Sequence, residues 1–348
     1  MMTLPTCWPT RARRLTLATV LACAFVGESA SPHNVDDEFT SEWANATDAR
    51  GLLQAFRETG EDRYLDDAWA LLERELSPNA SANVLIDAAL VAQARHRFDD
   101  ARMLTAKAIE LGSANDQAWL LVNSIALVQG RADEAADACR QLRNSPPLVI
   151  VTCHARVALI SGNEASVLPR LEAMLSLGSS DDVLLAWSQS IAGDLAAARG
   201  KDTDSIRHYR ASLGLAESTQ VRSALVDALF RTHRLAEARH ALDAGSHHAL
   251  PLEVRRLIAD RIEGHDSHQR IDHVDQRFRE WIVDSDWLHA REMARFYLDV
   301  KPDPELAHKL AGINIGIQKE PEDYRLLRRA YSLEARHPGG SRIRAETF

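Results

Sequence analysis

Two units of 34 residues lie back to back between Ala82 and Val149, and this spacing constrains the fold more than any other feature of the chain. In the second unit Trp119, Val122, Asn123 and Ala126 are followed by Gly130, Ala135, Cys139 and Pro147. Shifting back by 34 positions gives Leu85, Ala88, Ala89, Ala92, His96, Ala101, Thr105 and Ser113. Small or apolar residues thus recur where two packed helices need them, as in a helix-turn-helix repeat. Repeats of this kind contact only their neighbours, so one continuous stack can absorb all 348 residues without a globular boundary.

The phase extends in both directions. His96, Gly130, Gly162, Gly200 and His233 share a turn slot, where one helix must stop and the next begin at a sharp angle. Five positions on, Ala101, Ala135, Val167, Ser205 and Ala238 form a column kept small for crossing helices. The wide interval between Gly162 and Gly200 predicts an insertion around Gly178–Asp182. Upstream, Leu52, Leu53 and Phe56 supply one helical face, Gly60 a break, and Tyr64, Leu65, Ala68, Trp69, Leu71 and Leu72 a second face, ending at Pro78. The expected units are about 46–79, 82–115, 116–149, 150–185, 186–218 and 219–249. Past Leu250 the units degrade, but helical periodicity continues through 250–334, with helices expected over Leu252–Gly264, His268–Val283, Asp286–Val300, Pro304–Gln318 and Pro321–Glu334. Bulky residues such as Phe278, Trp281, Phe296 and Tyr297 suit a capping region.

These residues resemble the tetratricopeptide repeat family. The resemblance implies an all-α fold, a right-handed α-solenoid of antiparallel helix pairs, whose first helices line a concave face that contacts a protein or peptide partner. Registering the units by their turn slot puts Asp87, Gln93, Gln117, Ser124, Thr152, Arg156, Trp187, Ser190, Asp194, Asp227 and Arg231 on or near those first helices, as partner-binding candidates. Family members that clamp a peptide carboxylate place Lys and Asn in slots that here hold Ile86 and Leu90, then Leu120 and Ser124, so that clamp is absent. Trp187 is the leading contact candidate, since aromatic residues are frequent binding anchors; the alternative is that it packs under the inserted loop.

The chain start reads as an export signal: Arg11, Arg13 and Arg14 precede the apolar run Leu15–Val26, and small residues follow. That run is too short to span a bilayer, so residues 1–30 are expected to be removed, leaving an exported protein, periplasmic or envelope-associated in a bacterium and not membrane-spanning. Val20-Leu21-Ala22-Cys23 also resembles a lipoprotein box, an alternative that would anchor Cys23. Residues 31–45 read as an acidic linker, and 335–348 as a disordered tail. Without residues 1–30, 38 basic face 49 acidic residues; with no basic stripe, this excludes nucleic acid as the expected partner.

Cys139 and Cys153 remain beyond the signal, eight residues before and six after the turn at Pro147. Antiparallel helices bring such positions to similar height. However, helix pairs about 8–10 Å apart are wide for a disulfide, whose Cα atoms stand about 5.5–6 Å apart. Two separate thiols are the expectation, with a bond as the alternative.

No nucleophile elbow, phosphate-cradling glycine loop or H-E-x-x-H sequence occurs, so no catalytic residue and no cofactor is assigned. The expected role is a non-enzymatic interaction scaffold. The alternatives are a small-ligand or metal carrier using His265, His268, Asp272 and Asp275, or a helical holder for an unrecognised activity.

Overall fold

A computed structural model describes residues 48–335 apart from 60, 114, 115 and 246. The export signal, the acidic linker to residue 45, the Gly60 break and the tail from 336 onward lie outside the described residues. Among those described there are seventeen α-helices and no strand.

The helices alternate as two layers. The first helices of successive pairs are α1 (Ala49–Thr59), α3 (Ala82–Ala94), α5 (Asp116–Val128), α7 (Pro147–Ser161), α9 (Asp182–Ala198) and α11 (Thr219–Arg231). Their partners are α2 (Arg63–Glu75), α4 (Phe98–Ala108), α6 (Ala132–Gln141), α8 (Glu164–Ser176), α10 (Asp202–Leu213) and α12 (Leu235–Asp243). Local sequence explains many of the ends. Ser81, Asp181 and Ser218 accept hydrogen bonds from the N–H groups of Val84, Leu184 and Val221, satisfying donors that a helix start leaves open. Pro147 opens α7, where its missing N–H costs nothing.

All five turn-slot residues adopt positive φ: 57° at His96, 74° at Gly130, 75° at Gly162, 70° at Gly200 and 56° at His233. The slot therefore demands a left-handed residue, which glycine supplies most cheaply. In the crossing column Ala101, Ala135, Ser205 and Ala238 are fully buried, and Val167 is only partly buried. The wide Gly162–Gly200 interval has a different origin from the expected loop insertion. The connection Leu177–Asp181 is as long as its counterpart Leu142–Pro146, whereas α8 and α9 have 13 and 17 residues against 10 and 15 in α6 and α7. Longer helices, rather than a bulged loop, take up the extra chain.

Cys139 on α6 and Cys153 on α7 are joined, with Cα atoms 5.7 Å apart. The expectation of separate thiols is overturned. Its error was to compare a Cα distance with an axis distance. Each Cα lies about 2.3 Å off its axis, so residues turned inward across a pair of axes about 10 Å apart approach to roughly 5.5 Å.

Five further helices follow: α13 (Leu250–Glu263), α14 (His268–Val283), α15 (Ala290–Asp299), α16 (Pro304–Ile317) and α17 (Pro321–Glu334). The α15 start is later than the periodicity predicts, because residues 286–289 turn first: Asp286 accepts from the Leu288 N–H and the Trp287 carbonyl from the Ala290 N–H, both at 3.1 Å. Phe278, Phe296 and Tyr297 are buried, with edge-to-face ring contacts about Phe296. This end does not simply extend the stack. Leu288 and Ile317 pack onto the N-terminal core around Leu85 and Leu121. His289 meets Asp62 at 3.1 Å, and the Lys319 N–H donates to the Val128 carbonyl at 2.8 Å. The C-terminal segment thus folds back across the inner face of the first three pairs.

Candidate functional site: a roofed chamber on the inner face

Folding back leaves a cavity of about 530 Å³, walled by the first helices and roofed by residues 288–292 and 318–325. Gln93, Ser124, Arg156, Trp187, Ser190, Asp194, Asp227 and Arg231 line it. Asp87, Gln117 and Thr152 do not. Asp87 pairs with Arg50 of the preceding pair at 2.7 Å, Thr152 shares a 2.8 Å hydrogen bond with Ser188 of the following one, and Gln117 is buried. Asp87 and Thr152 therefore face a neighbouring first helix instead of the chamber and join units together.

The wall is built in layers. Behind it, the Asn123 amide donates to the Ala135 carbonyl at 3.0 Å and lies 3.3 Å from the Cys139 sulfur. Its carbonyl oxygen accepts from Arg156, which also donates to Ser124, both at 3.3 Å. The disulfide, Asn123 and the chamber-facing guanidinium therefore form one connected string. Trp187 is almost fully buried, in the chamber wall rather than beneath a loop. Tyr209, which the unit register did not single out, reaches from α10 across α9. Its hydroxyl donates to Asp194 at 2.8 Å. Gly193 makes this reach available, because a Cβ there would stand 2.5 Å from the Tyr209 ring.

Electrostatics divides the chamber. Burial would raise Asp227, but Arg255 at 2.7 Å and Arg295 at 3.1 Å hold its carboxyl well below the usual carboxylate range. Burial pushes Asp194 up to about 7, with the Tyr209 hydrogen bond opposing. His96, at the rim, is pushed down to about 4 by burial, with Arg291 and His289 adding to the effect. The roof is fastened by Arg291, whose Nε lies 2.6 Å from Asp323, and by the reciprocal capping of α17 by Glu320 and Asp323.

The His/Asp group near α14 does not converge. Asp275 accepts from Tyr297, Arg279 and Lys301, each at 2.8 Å, while His268 and Asp272 point to solvent. Among the described residues no three His, Cys, Asp or Glu side chains are grouped to hold a metal ion. None of the described helices is long and apolar enough to cross a membrane.

No family model and no curated protein matches the sequence. Solved structures do match the fold. The APC/C hetero-tetramer Cut9-Hcn1 gives a TM-score of 0.51 at 14% identity, covering 81% of this chain. The fold is that of a tetratricopeptide-repeat solenoid. The present solenoid spans 62% of the length of that Cut9-Hcn1 chain. A tetratricopeptide repeat protein from Parabacteroides merdae is 12% identical with a TM-score of 0.40, covering 81% of this chain and 98% of its own. The quorum sensor NprR from B. thuringiensis, in its apo form, is 15% identical with a TM-score of 0.46, covering 86% and 89%.

Proposed function

We propose that the protein is an exported, non-enzymatic interaction protein that holds a peptide segment of a partner on its inner face. The chamber carries this reading. Its volume of about 530 Å³ falls in the range of ligand sites, about 300–1,000 Å³, and its lining mixes Leu120, Leu159, Trp187 and Ile191 with a few oriented polar groups. A roofed groove of that size suits a short extended segment better than the surface of a folded domain. Export is supported by the ordering of arginines, apolar run and small residues at the chain start, and by the Cys139–Cys153 bond, since such bonds persist in oxidising compartments.

The test is site-specific photo-crosslinking in the native host, with a photoreactive residue at Gln93 or Ser190. Covalent adducts to one recurrent peptide or protein segment are expected. Adducts confined to water, or to small metabolites, would remove the peptide-binding reading. N-terminal sequencing of the native protein tests export separately: a mature start between Phe25 and Ser31 is expected, and an intact Met1 in the soluble cytoplasmic fraction would refute it.

A further inference from the structure

Six carboxylates line the chamber, and five of them are matched by an arginine. Asp227 is held by Arg255 and Arg295, Glu292 by Arg255 at 3.2 Å, and Glu320 by Arg291. Glu322 pairs with Arg325 at 3.2 Å, and Glu217 with Arg222. Asp194 is the exception. Among the described residues its side chain is bonded to the Tyr209 hydroxyl, and no basic side chain pairs with it. It is partly buried and lines the chamber. Burying a carboxylate without a cation costs several kcal/mol in general, so such a group is ordinarily paired or neutralised.

The setting of Asp194 is constructed rather than incidental. Trp187, Ser190 and Asp194 follow one another at helical spacing along the inner face of α9, and Gly193 beside them gives the Tyr209 ring room to lie against the helix. The Ser190 hydroxyl is turned back to the Trp187 carbonyl at 2.8 Å, so it does not occupy the carboxylate. The neighbouring wall is apolar, with Leu159, Ile160 and Ile191 close along α7 and α9. An anionic point within an oily wall selects a basic group carried on an apolar body.

We infer that Asp194 is the counter-ion for a basic side chain of the bound peptide, and that the chamber selects short segments with a lysine or arginine between apolar residues. This rests on the reading that the inner face holds a peptide. The charged groups that face Asp194 are Tyr209 from α10, Arg156 from α7, and Glu320 and Arg325 from the roof. Arg156 and Arg325 favour its ionised form from a distance, Glu320 opposes it, and the ligand cation completes the pairing.

The experiment uses the mature, disulfide-bonded protein and two pools of capped pentapeptides. One pool carries lysine at the central position and the other norleucine; the flanking positions are drawn from leucine, alanine, serine and glycine. Affinity selection read by mass spectrometry is expected to enrich the lysine pool at least tenfold over the norleucine pool at pH 8, with the preference shrinking towards pH 6 as Asp194 takes up a proton. Asp194→Asn, which keeps an acceptor for Tyr209, is expected to abolish the preference while leaving residual norleucine binding. Equal recovery of both pools, or a preference that is unchanged in Asp194→Asn or flat with pH, overturns the inference while leaving peptide binding intact. Recovery of neither pool overturns both.

Discussion

The N–H of Lys319, just beyond α16, donates to the carbonyl oxygen of Val128 at the end of α5. The Lys319 ammonium then reaches the Gln129 carbonyl at 3.4 Å, and its aliphatic stem crosses Gly130. One residue thereby fastens the roof of the chamber to a repeat turn.

Gly130 answers two demands at once, and a paired substitution separates them. Gly130 and Gly162 share nearly the same φ, but a Cβ at 130 would stand 3.0 Å from the Lys319 stem, whereas one at 162 meets nothing within 4 Å. Gly162→Ala is expected to cost about 1 kcal/mol from the left-handed backbone alone. Gly130→Ala is expected to cost more, and the excess should vanish when Lys319→Ala is added. Denaturant unfolding of the single and double variants measures this.

The Asp194 carboxyl supplies a pH signature. Its folded value of about 7 lies above its ordinary 3.8, so folding binds a proton more tightly than the unfolded chain does. Its contribution is therefore fully favourable below about 3.8 and is lost as pH rises through about 7. Asp194→Asn is expected to stabilise the ligand-free protein at pH 8 by up to roughly 4 kcal/mol, and by little at pH 4. Thermal unfolding at both values checks the sign.

Titration of the denatured, unreduced mature protein is expected to find no free thiol at Cys139 or Cys153. Cys139→Ser is expected to lower stability by roughly 3 kcal/mol, the magnitude that the chain-entropy model gives for a loop near 15 residues. Because Asn123 touches both the bond and Arg156, the amide resonances of Asn123 and Arg156 should also shift, which a stability loss alone would not produce.

Gly193→Ala is expected to displace the Tyr209 ring and cost about 1–3 kcal/mol by overpacking. The Tyr209→Phe background should leave that cost, since the ring remains, while removing the hydroxyl contact to Asp194. Calorimetry of the two singles and the double distinguishes crowding from the lost hydrogen bond.

The parts of this fold that repeat were legible in the sequence. His96 and His233 could be aligned with three glycines by spacing alone, and all five share one backbone conformation. Ala135 and Ala238 were recognisable as crossing points because a small residue recurs at a fixed distance from each turn. The return of the C-terminal segment was not legible. Lys319 meets Val128 through backbone atoms, and a backbone hydrogen bond between distant positions leaves no residue pattern to read. Tyr209 was missed for a related reason: it belongs to a second helix, and it reaches the chamber only because Gly193 lets its ring pass. Asp87 and Thr152 lie off the chamber because sharing a helix with the groove residues does not fix which side of that helix a residue faces.

The disposition of residues 286–325 changes how this solenoid should come apart. In an open stack each unit is held by its neighbours alone, so unfolding frays inward from either end and stability grows almost unit by unit. Here Leu288 and Ile317 are packed on the opening units and His289 on Asp62, so the last helices cannot leave without uncovering the first. Fraying from the C-terminus and fraying from the N-terminus become the same event. The chain has the repetitive grammar of a linear array and the all-or-none melting expected of a closed one.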